Sequence, residues 1–112
     1  MSMNLTQAEI REIQDRYRYL INYESDDPDR PIDPISYVDS NGDSLLHIAT
    51  NAGDLKTVEL LLKAGVNVNQ IGDMGSTALH YARAKRHDDI ANILLEYGAL
   101  TNVENDFGQL PE

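Results

Sequence analysis

Histidines and carboxylates are the residues in this chain whose types and spacing could do chemistry. His47 and His80 lie 33 residues apart in similar surroundings, and Asp39 and Asp43 enclose a short polar stretch that contains Gly42. Two imidazoles could bind a zinc ion. Closely spaced acidic residues around a glycine are typical of calcium-binding loops. Each kind of site requires a particular spacing, so the sequence can be checked against both.

Neither metal site fits the spacing. A calcium loop needs a glycine after its third acidic position and a glutamate that closes the loop, but Ser44 and Thr50 occupy these places. His47 and His80 occupy matching positions of two similar segments, and stacked helices would hold them roughly 10 Å apart. Zinc ligands lie only about 2 Å from the metal. We therefore expect no metal and no cofactor, and we interpret His87 as a solvated residue.

The chain lacks the motifs that would indicate an enzyme. Its 112 residues contain no cysteine, and they contain no nucleophile elbow, phosphate-binding loop or HExxH motif. Carboxylates are clustered within residues 24–33, but they lie in a proline-rich stretch where nothing would raise their pKa. The sequence therefore predicts a non-enzymatic protein.

The charge of the chain narrows the choice of partner. Nineteen acidic residues outnumber 9 basic ones, which gives a net charge of −10. Affinity for nucleic acid comes from lysine and arginine on phosphates, so we expect no nucleic acid partner. The same charge would speed association with a basic protein. One basic cluster is present, Arg83, Lys85 and Arg86, and we expect it to pair with Asp88 or Asp89.

Hydropathy gives an expectation about the compartment. No apolar run approaches the roughly 18 residues of a membrane span, and the N-terminal residues are too charged for a secretory signal. We therefore expect no membrane association and a cytoplasmic location.

Two similar segments follow one another in the chain. Six residues recur at an offset of 33: Gly42, His47, Ala49, Leu61, Leu62 and Gly65 return as Gly75, His80, Ala82, Leu94, Leu95 and Gly98. The predicted units are residues 39–71 and 72–104, and residues 105–112 begin a third unit. In each unit Ser44 or Thr77 can cap a first helix, and leucines at helical spacing predict a second. One helix pair cannot bury its apolar face alone, so the units must stack.

The motif at the start of each unit carries a resemblance to a known family. It reads Ser44-Leu45-Leu46-His47-Ile48-Ala49 and then Thr77-Ala78-Leu79-His80-Tyr81-Ala82. It resembles the T-P-L-H-x-A motif of ankyrin repeats without its proline, and the resemblance extends from Ile32 to Pro111. This implies one all-α domain over residues 1–112, a solenoid of stacked helix-turn-helix units with protruding turns. In that family the histidine bonds the serine or threonine that begins its helix.

The segment before the units is predicted to cap the stack. Thr6-Gln7-Ala8-Glu9 is a capping box. A helix over residues 5–23 would pair Glu12 with Arg16 and would carry an apolar stripe formed by Ile10, Ile13, Tyr17, Leu20 and Ile21. Residues 24–38 contain Pro28, Pro31 and Pro34, which exclude continued helix. We expect this stretch to form a loop and the first protruding turn.

The resemblance also implies a partner-binding surface. Ankyrin proteins hold partners with the turn tips and with the exposed side of each first helix, which together form a concave face. Carried across by position, the tips supply Ser40, Asn41, Asp43, Asp73, Met74, Ser76, Asp106 and Phe107, and the helices supply Ile48, Asn51, Tyr81 and Lys85. Met74, Tyr81 and Phe107 are the strongest candidates, because apolar and aromatic residues dominate interfaces. Two alternatives stay open: Met74 and Phe107 fold back over the loop, and the acids of the first turn are only solvated.

The sequence leaves several binding functions open. The favoured one is an inhibitor of a basic enzyme, because in size and charge the chain is similar to ankyrin-type immunity proteins that neutralise basic toxins or nucleases. The first alternative is an adaptor or a fragment of a longer ankyrin array. The second is a structural protein that self-associates through its C-terminal end, where Ile93 and Leu94 would leave apolar surface open.

Overall fold

Five α-helices form the protein. The computed structural model describes residues 5–23, 25–27 and 29–112; residues 1–4, and Glu24 and Pro28 of the predicted loop, lie outside the described residues. The helices are α1 (Gln7–Arg16), α2 (Leu45–Ala52), α3 (Leu55–Lys63), α4 (Ala78–Ala84) and α5 (Asp88–Glu96). A single 3₁₀ turn spans Asp73–Gly75. The all-α prediction is confirmed.

The helices pack as two stacked hairpins. α2 packs on α3 within the first hairpin and α4 on α5 within the second, while α2 faces α4 and α3 faces α5. The only pairing of extended backbone that the described residues show is an isolated bridge between Val38 and Ser44. In the part of the chain that the structure describes, no helix is both long and apolar enough to cross a membrane.

Side-chain caps at the helix starts explain where the hairpins begin. Ser44 and Thr77 each cap a first helix, and the histidine three residues later bonds back to the cap, so each forms a capping box. Asp54 caps α3 through Thr57. α2 ends at Gly53, whose φ of 75° is the left-handed conformation that glycine adopts without strain. The helix starts predicted from Ser44 and Thr77 are confirmed.

The core lies between the two hairpins. Val58, Leu61, Ile90 and Leu94 are all fully buried, with exposed fractions of 0%. Burying a side chain of this size stabilises the fold by about 1.5–3 kcal/mol relative to leaving it exposed. Because Leu94 is buried, the expectation that it would leave apolar surface at the C-terminal end is wrong. The apolar side chains exposed there are Tyr97, Leu100 and Leu110.

The N-terminal helix is shorter than predicted. Its capping box is confirmed, with the Thr6 amide donating to Glu9 at 2.9 Å and the Glu9 amide to Thr6 at 3.1 Å. However, α1 ends at Arg16, so the prediction of a helix over residues 5–23 is wrong. Tyr17 is only 3% exposed, because its hydroxyl donates to Asp54 of the first hairpin at 2.8 Å.

Docking of Tyr17 leaves the residues that follow it outside the predicted apolar stripe. The chain turns after Tyr17, and the Leu20 amide donates to the Tyr17 carbonyl oxygen at 3.0 Å. Leu20 is half-buried and Ile21 is exposed. Arg16 forms the predicted pair with Glu12 at 3.7 Å and a shorter one with Asp54 at 2.7 Å.

Candidate functional site

Three protruding turns lie at one edge of the stack, and we name them tip 1 (residues 39–43), tip 2 (residues 72–76) and tip 3 (residues 105–109). In tip 1 one carboxylate oxygen of Asp39 accepts the amides of Asn41 and Asp43, both at 2.9 Å. In tip 3 the side-chain oxygen of Asn105 accepts the amides of Phe107 and Gln109 at 2.9 and 3.0 Å. Tips 1 and 3 are therefore each held by a side chain of their own.

Tip 2 has no such side chain, because glycine occupies the matching position. A Cβ atom on Gly72 would lie 2.9 Å from Nε2 of His47 and even closer to a carboxylate oxygen of Asp43. Only glycine fits this close approach without a shift of its neighbours. Tip 2 is held from tip 1 instead, since the Asp73 amide donates to the Asp43 carboxylate at 2.8 Å.

Met74 and Phe107 project from tips 2 and 3. Their exposed fractions are 55% and 67%, so they do not fold back over the loop. Met74 has a φ of 57° and a ψ of 26°, a left-handed conformation that costs a residue with a Cβ atom about 1–2 kcal/mol. The two tips are joined by the Asp106 amide, which donates to the Met74 carbonyl oxygen at 2.9 Å.

A groove of about 750 Å³ runs between tips 2 and 3 and along α4. It brings together the three strongest candidates, Met74, Tyr81 and Phe107. Asp73 and Ser76 of the predicted surface also line it. The other predicted residues lie outside the groove: Ser40, Asn41, Asn51, Lys85 and Asp106 are exposed, whereas Ile48 and Asp43 are half-buried.

Tyr81 is held by tip 1, which changes what it can offer a partner. Its hydroxyl lies 3.0 and 3.1 Å from the two carboxylate oxygens of Asp43 and donates to that group. Its ring meets the His47 ring edge-on at a centroid distance of 5.6 Å. Burial and the contact with Asp43 raise the pKa of Tyr81. The hydroxyl of Tyr81 and the carboxylate of Asp43 are thus already paired, and a partner in the groove would meet the tyrosine ring.

Ser76 also differs from its predicted place. It was assigned to an exposed tip, but it is 7% exposed. Its carbonyl oxygen accepts the Gly72 amide at 2.8 Å and lies 3.1 Å from Nε2 of His47. Ser76 is buried because it closes tip 2 against the first hairpin.

The two repeated histidines have the structural role that the resemblance implied. The Nδ1 atom of His47 accepts the Ser44 amide at 3.1 Å, and its Nε2 atom lies 3.0 Å from the Gln70 carbonyl oxygen. Carbonyl oxygens only accept, so Nε2 carries the proton. His80 repeats the arrangement with Thr77 and the carbonyl oxygen of Gln109. In the described ranges, no group of three or more histidines and acids is placed to hold a metal ion.

Burial makes the first of these histidines sensitive to acid. Desolvation lowers the pKa of His47 below its ordinary value of 6.5, although Asp43 and two carbonyl oxygens oppose the shift. Unfolded chains therefore bind more protons than folded ones just below pH 6.5, so this contribution to stability is complete above that value and is lost as the pH falls. We expect the urea midpoint to fall between about pH 7.5 and about pH 5.5.

A matched variant isolates the histidine in that measurement. The variant His47→Gln keeps a donor and an acceptor but cannot take up a proton, so its midpoint should depend less on pH over the same range. Equal pH dependence of the two chains would contradict the assignment.

Two sequence interpretations of charged residues are wrong. Arg83, Lys85 and Arg86 make no ion pair within the described residues, where the three pairs are Arg16–Glu12, Arg16–Asp54 and Lys56–Glu12. The predicted pairing with Asp88 or Asp89 is absent because those acids lie at the start of α5 without reaching the cluster. His87 is half-buried rather than solvated, with its ring packed over Gly53.

Comparisons with known proteins agree with this architecture. Residues 16–105 match the family described as ankyrin repeats, in three copies. Human protein phosphatase 1 regulatory subunit 27 is 36% identical over 77 residues, which are 69% of this chain and 50% of the relative. The probable 26S proteasome regulatory subunit p28 of Saccharomyces cerevisiae is 32% identical over 77 residues, 67% of this chain and 34% of the relative. The chain thus spans half or less of the length of these relatives.

Proposed function

The chain belongs to the ankyrin-repeat family, and from that premise we propose that it is a binding module for a basic protein and has no enzymatic activity of its own. Ankyrin repeats mediate protein–protein interaction, and proteins of this family are generally non-enzymatic. The observation that supports the proposal best is the pair of exposed side chains, Met74 and Phe107, on adjacent acidic tips. Exposed apolar groups rimmed by charges mark protein-binding surfaces.

The charge on the tips supports a basic partner. Each tip carries at least one acid, namely Asp39 and Asp43 in tip 1, Asp73 in tip 2 and Asp106 in tip 3. No lysine or arginine is present within the three tips. Opposite charge on the partner would raise the rate of encounter, because the net field of −10 attracts it over several ångströms.

Salt dependence tests this proposal. A partner is isolated at low salt with the whole chain as bait, and its association rate is then measured by surface plasmon resonance. We expect the rate to fall about tenfold or more between about 0.05 M and about 0.5 M salt, because mobile ions screen exposed charges. The double variant Asp73→Asn, Asp106→Asn should associate more slowly than the native chain at low salt.

The matched control is Asp15→Asn, which removes an exposed acid from α1. It changes the net charge in the same direction but lies outside the tips, so it should alter the rate less. Association that is insensitive to salt, or equally slow in the control and the tip variant, would argue against a basic partner at the tips.

A narrower version of the proposal is that the chain inhibits its partner. Two relatives are named as regulatory subunits, one of a phosphatase and one of a proteasome, and those names favour an enzyme as the partner. The version in which the chain is an immunity protein that neutralises a basic toxin or nuclease depends on its size and charge alone. Titration of a captured enzyme separates the versions: loss of activity at one equivalent supports an inhibitor, and unchanged activity supports an adaptor. We propose the cytoplasm as the compartment, which imaging of the tagged chain would test.

Self-association is the second candidate function, and the exposed side chains at the C-terminal end favour it. Tyr97, Leu100 and Leu110 are 46%, 49% and 40% exposed. Light scattering decides between the functions, because a dimer would have twice the monomer mass of 12.5 kDa. A monomer at high concentration would exclude this candidate.

A further inference from the structure

The groove between tips 2 and 3 has apolar walls and an aromatic floor. Met74 and Phe107 form its two sides, the Tyr81 ring lies between them, and Leu110 closes one end. Its volume of about 750 Å³ falls within the range of roughly 300–1,000 Å³ that is typical of ligand sites. A large apolar side chain and the backbone on either side of it would fit there.

Met74 combines two unfavourable features at one position. It has a positive φ of 57°, which is strained for a methionine, and it exposes apolar surface to water. At the matching positions of the other tips, Asn41 and Phe107 do not have a positive φ. Asparagine tolerates the left-handed region better than methionine does, so the turn itself gives no reason for methionine. Strain of this kind tends to persist where a residue serves a function.

The charged groups around the groove are of one sign. Asp73 and Glu112 line it, no lysine or arginine does, and Asp106 lies beside Phe107 on tip 3. Lysine or arginine on either side of an apolar residue would therefore find carboxylates, whereas acidic flanks would be repelled.

We propose that this groove binds an extended segment of a partner in which one large apolar side chain is flanked by lysine or arginine. The apolar side chain lies between Met74 and Phe107 over the Tyr81 ring, and the flanking cations face Asp73 and Asp106. This inference rests on the proposed function, because it specifies how a basic partner would be read. It differs from that function in predicting a short linear segment as the recognised feature.

Selection from a library of random displayed peptides tests the specificity without knowledge of the partner. Peptides of about ten residues would extend to roughly 33 Å, enough to cross the tips. We expect the native chain to enrich peptides with one large apolar residue between basic residues. Enrichment of acidic peptides, of peptides without a large apolar residue, or of none would overturn the proposal.

The variant Met74→Gly separates binding from folding. Glycine adopts a φ of 57° without strain, so the melting temperature should equal or exceed that of the native chain. Removal of one groove wall should nevertheless weaken the enriched peptides at least about tenfold, as expected for a residue at the centre of an interface. The matched control is Ile71→Ala, which truncates an apolar side chain of similar exposure, 52%, outside the groove. It should leave peptide affinity unchanged.

Each result bears on one proposal at a time. Full affinity of Met74→Gly for the enriched peptides would overturn the groove assignment. If a basic partner isolated with the whole chain bound Met74→Gly as tightly as the native chain, the groove assignment would fail while the proposed function would stand. If the chain bound no basic protein but kept groove-dependent peptides, the proposed function would fail instead.

Discussion

Replacing His47 by alanine should lower the free energy of unfolding by about 3–5 kcal/mol, because one buried side chain satisfies both hairpins. His47 is 0% exposed. Its ring accepts the Ser44 amide of its own hairpin and donates to the carbonyl oxygens of Gln70 and Ser76, which lead into the next. Alanine would leave a cavity and would leave those polar groups without their partner.

A drop of this size is a large share of the roughly 5–15 kcal/mol that stabilises a small protein. It should lower the melting temperature by more than about 10 °C, which calorimetry would measure. The matched control is His80→Ala, where the ring is 7% exposed and bonds the carbonyl oxygen of Gln109 alone beyond its own helix start. His80→Ala should therefore cost clearly less. Equal costs would mean that the link between hairpins contributes little.

Replacing Asp54 by alanine should cost about 3 kcal/mol, because this residue joins the N-terminal helix to the first hairpin and also caps α3. Its carboxylate accepts four hydrogen bonds: from Arg16 at 2.7 Å, from the Tyr17 hydroxyl at 2.8 Å, and from the amide and hydroxyl of Thr57 at 3.2 and 2.6 Å. Burial raises the pKa of Asp54, but the hydrogen bonds from Thr57, Tyr17 and Arg16 outweigh burial and hold that pKa below its ordinary value.

Two measurements would check the Asp54 prediction. Urea unfolding gives the change in stability, and limited trypsin digestion reports whether α1 has come away, because Arg16 and Arg18 would then be cut faster. The control Asp88→Ala removes an exposed acid from the first turn of α5, and it should change stability by no more than about 0.5 kcal/mol. Slow cleavage in Asp54→Ala would show that apolar packing of Ile13 and Tyr17 suffices to dock α1.

Local signals in the sequence predict the parts of the fold that depend on neighbouring residues. The capping box at Thr6, the helix starts at Ser44 and Thr77 and the buried leucines at helical spacing are all confirmed. Each depends on residues within about four positions of one another, and a helix places such residues side by side. The family resemblance adds the stacking of the hairpins.

Contacts between distant residues account for the parts that the sequence did not predict. α1 ends at Arg16 because Tyr17 docks on Asp54, 37 residues away, and no helical period records that contact. The hydroxyl of Tyr81 is paired with Asp43, 38 residues away, so Tyr81 is less free than its aromatic type suggested. Gly72 has a departure from the repeat as its signal, since Asp39 and Asn105 occupy the matching places in tips 1 and 3.

The groove shows both sides of this comparison. Met74 and Phe107 were selected because apolar residues at turn tips have little structural purpose, and both are exposed as that argument requires. The strain at Met74 could not be foreseen, because its φ depends on how Gly72 and Asp43 hold tip 2.

The hydrogen bonds that join the units span little more than one repeat along the chain. His47 reaches Ser76 across 29 residues, and Asn69 reaches Leu100 across 31. In a structure built from nearest-neighbour contacts, folding can begin in either hairpin and spread from there, with little loss of entropy at each step. The same property lets heat or mechanical tension unravel the stack from one end. Tip 3 has neighbours only on one side in the described residues, so it would be among the first parts to open, and the groove would disappear before the core melts.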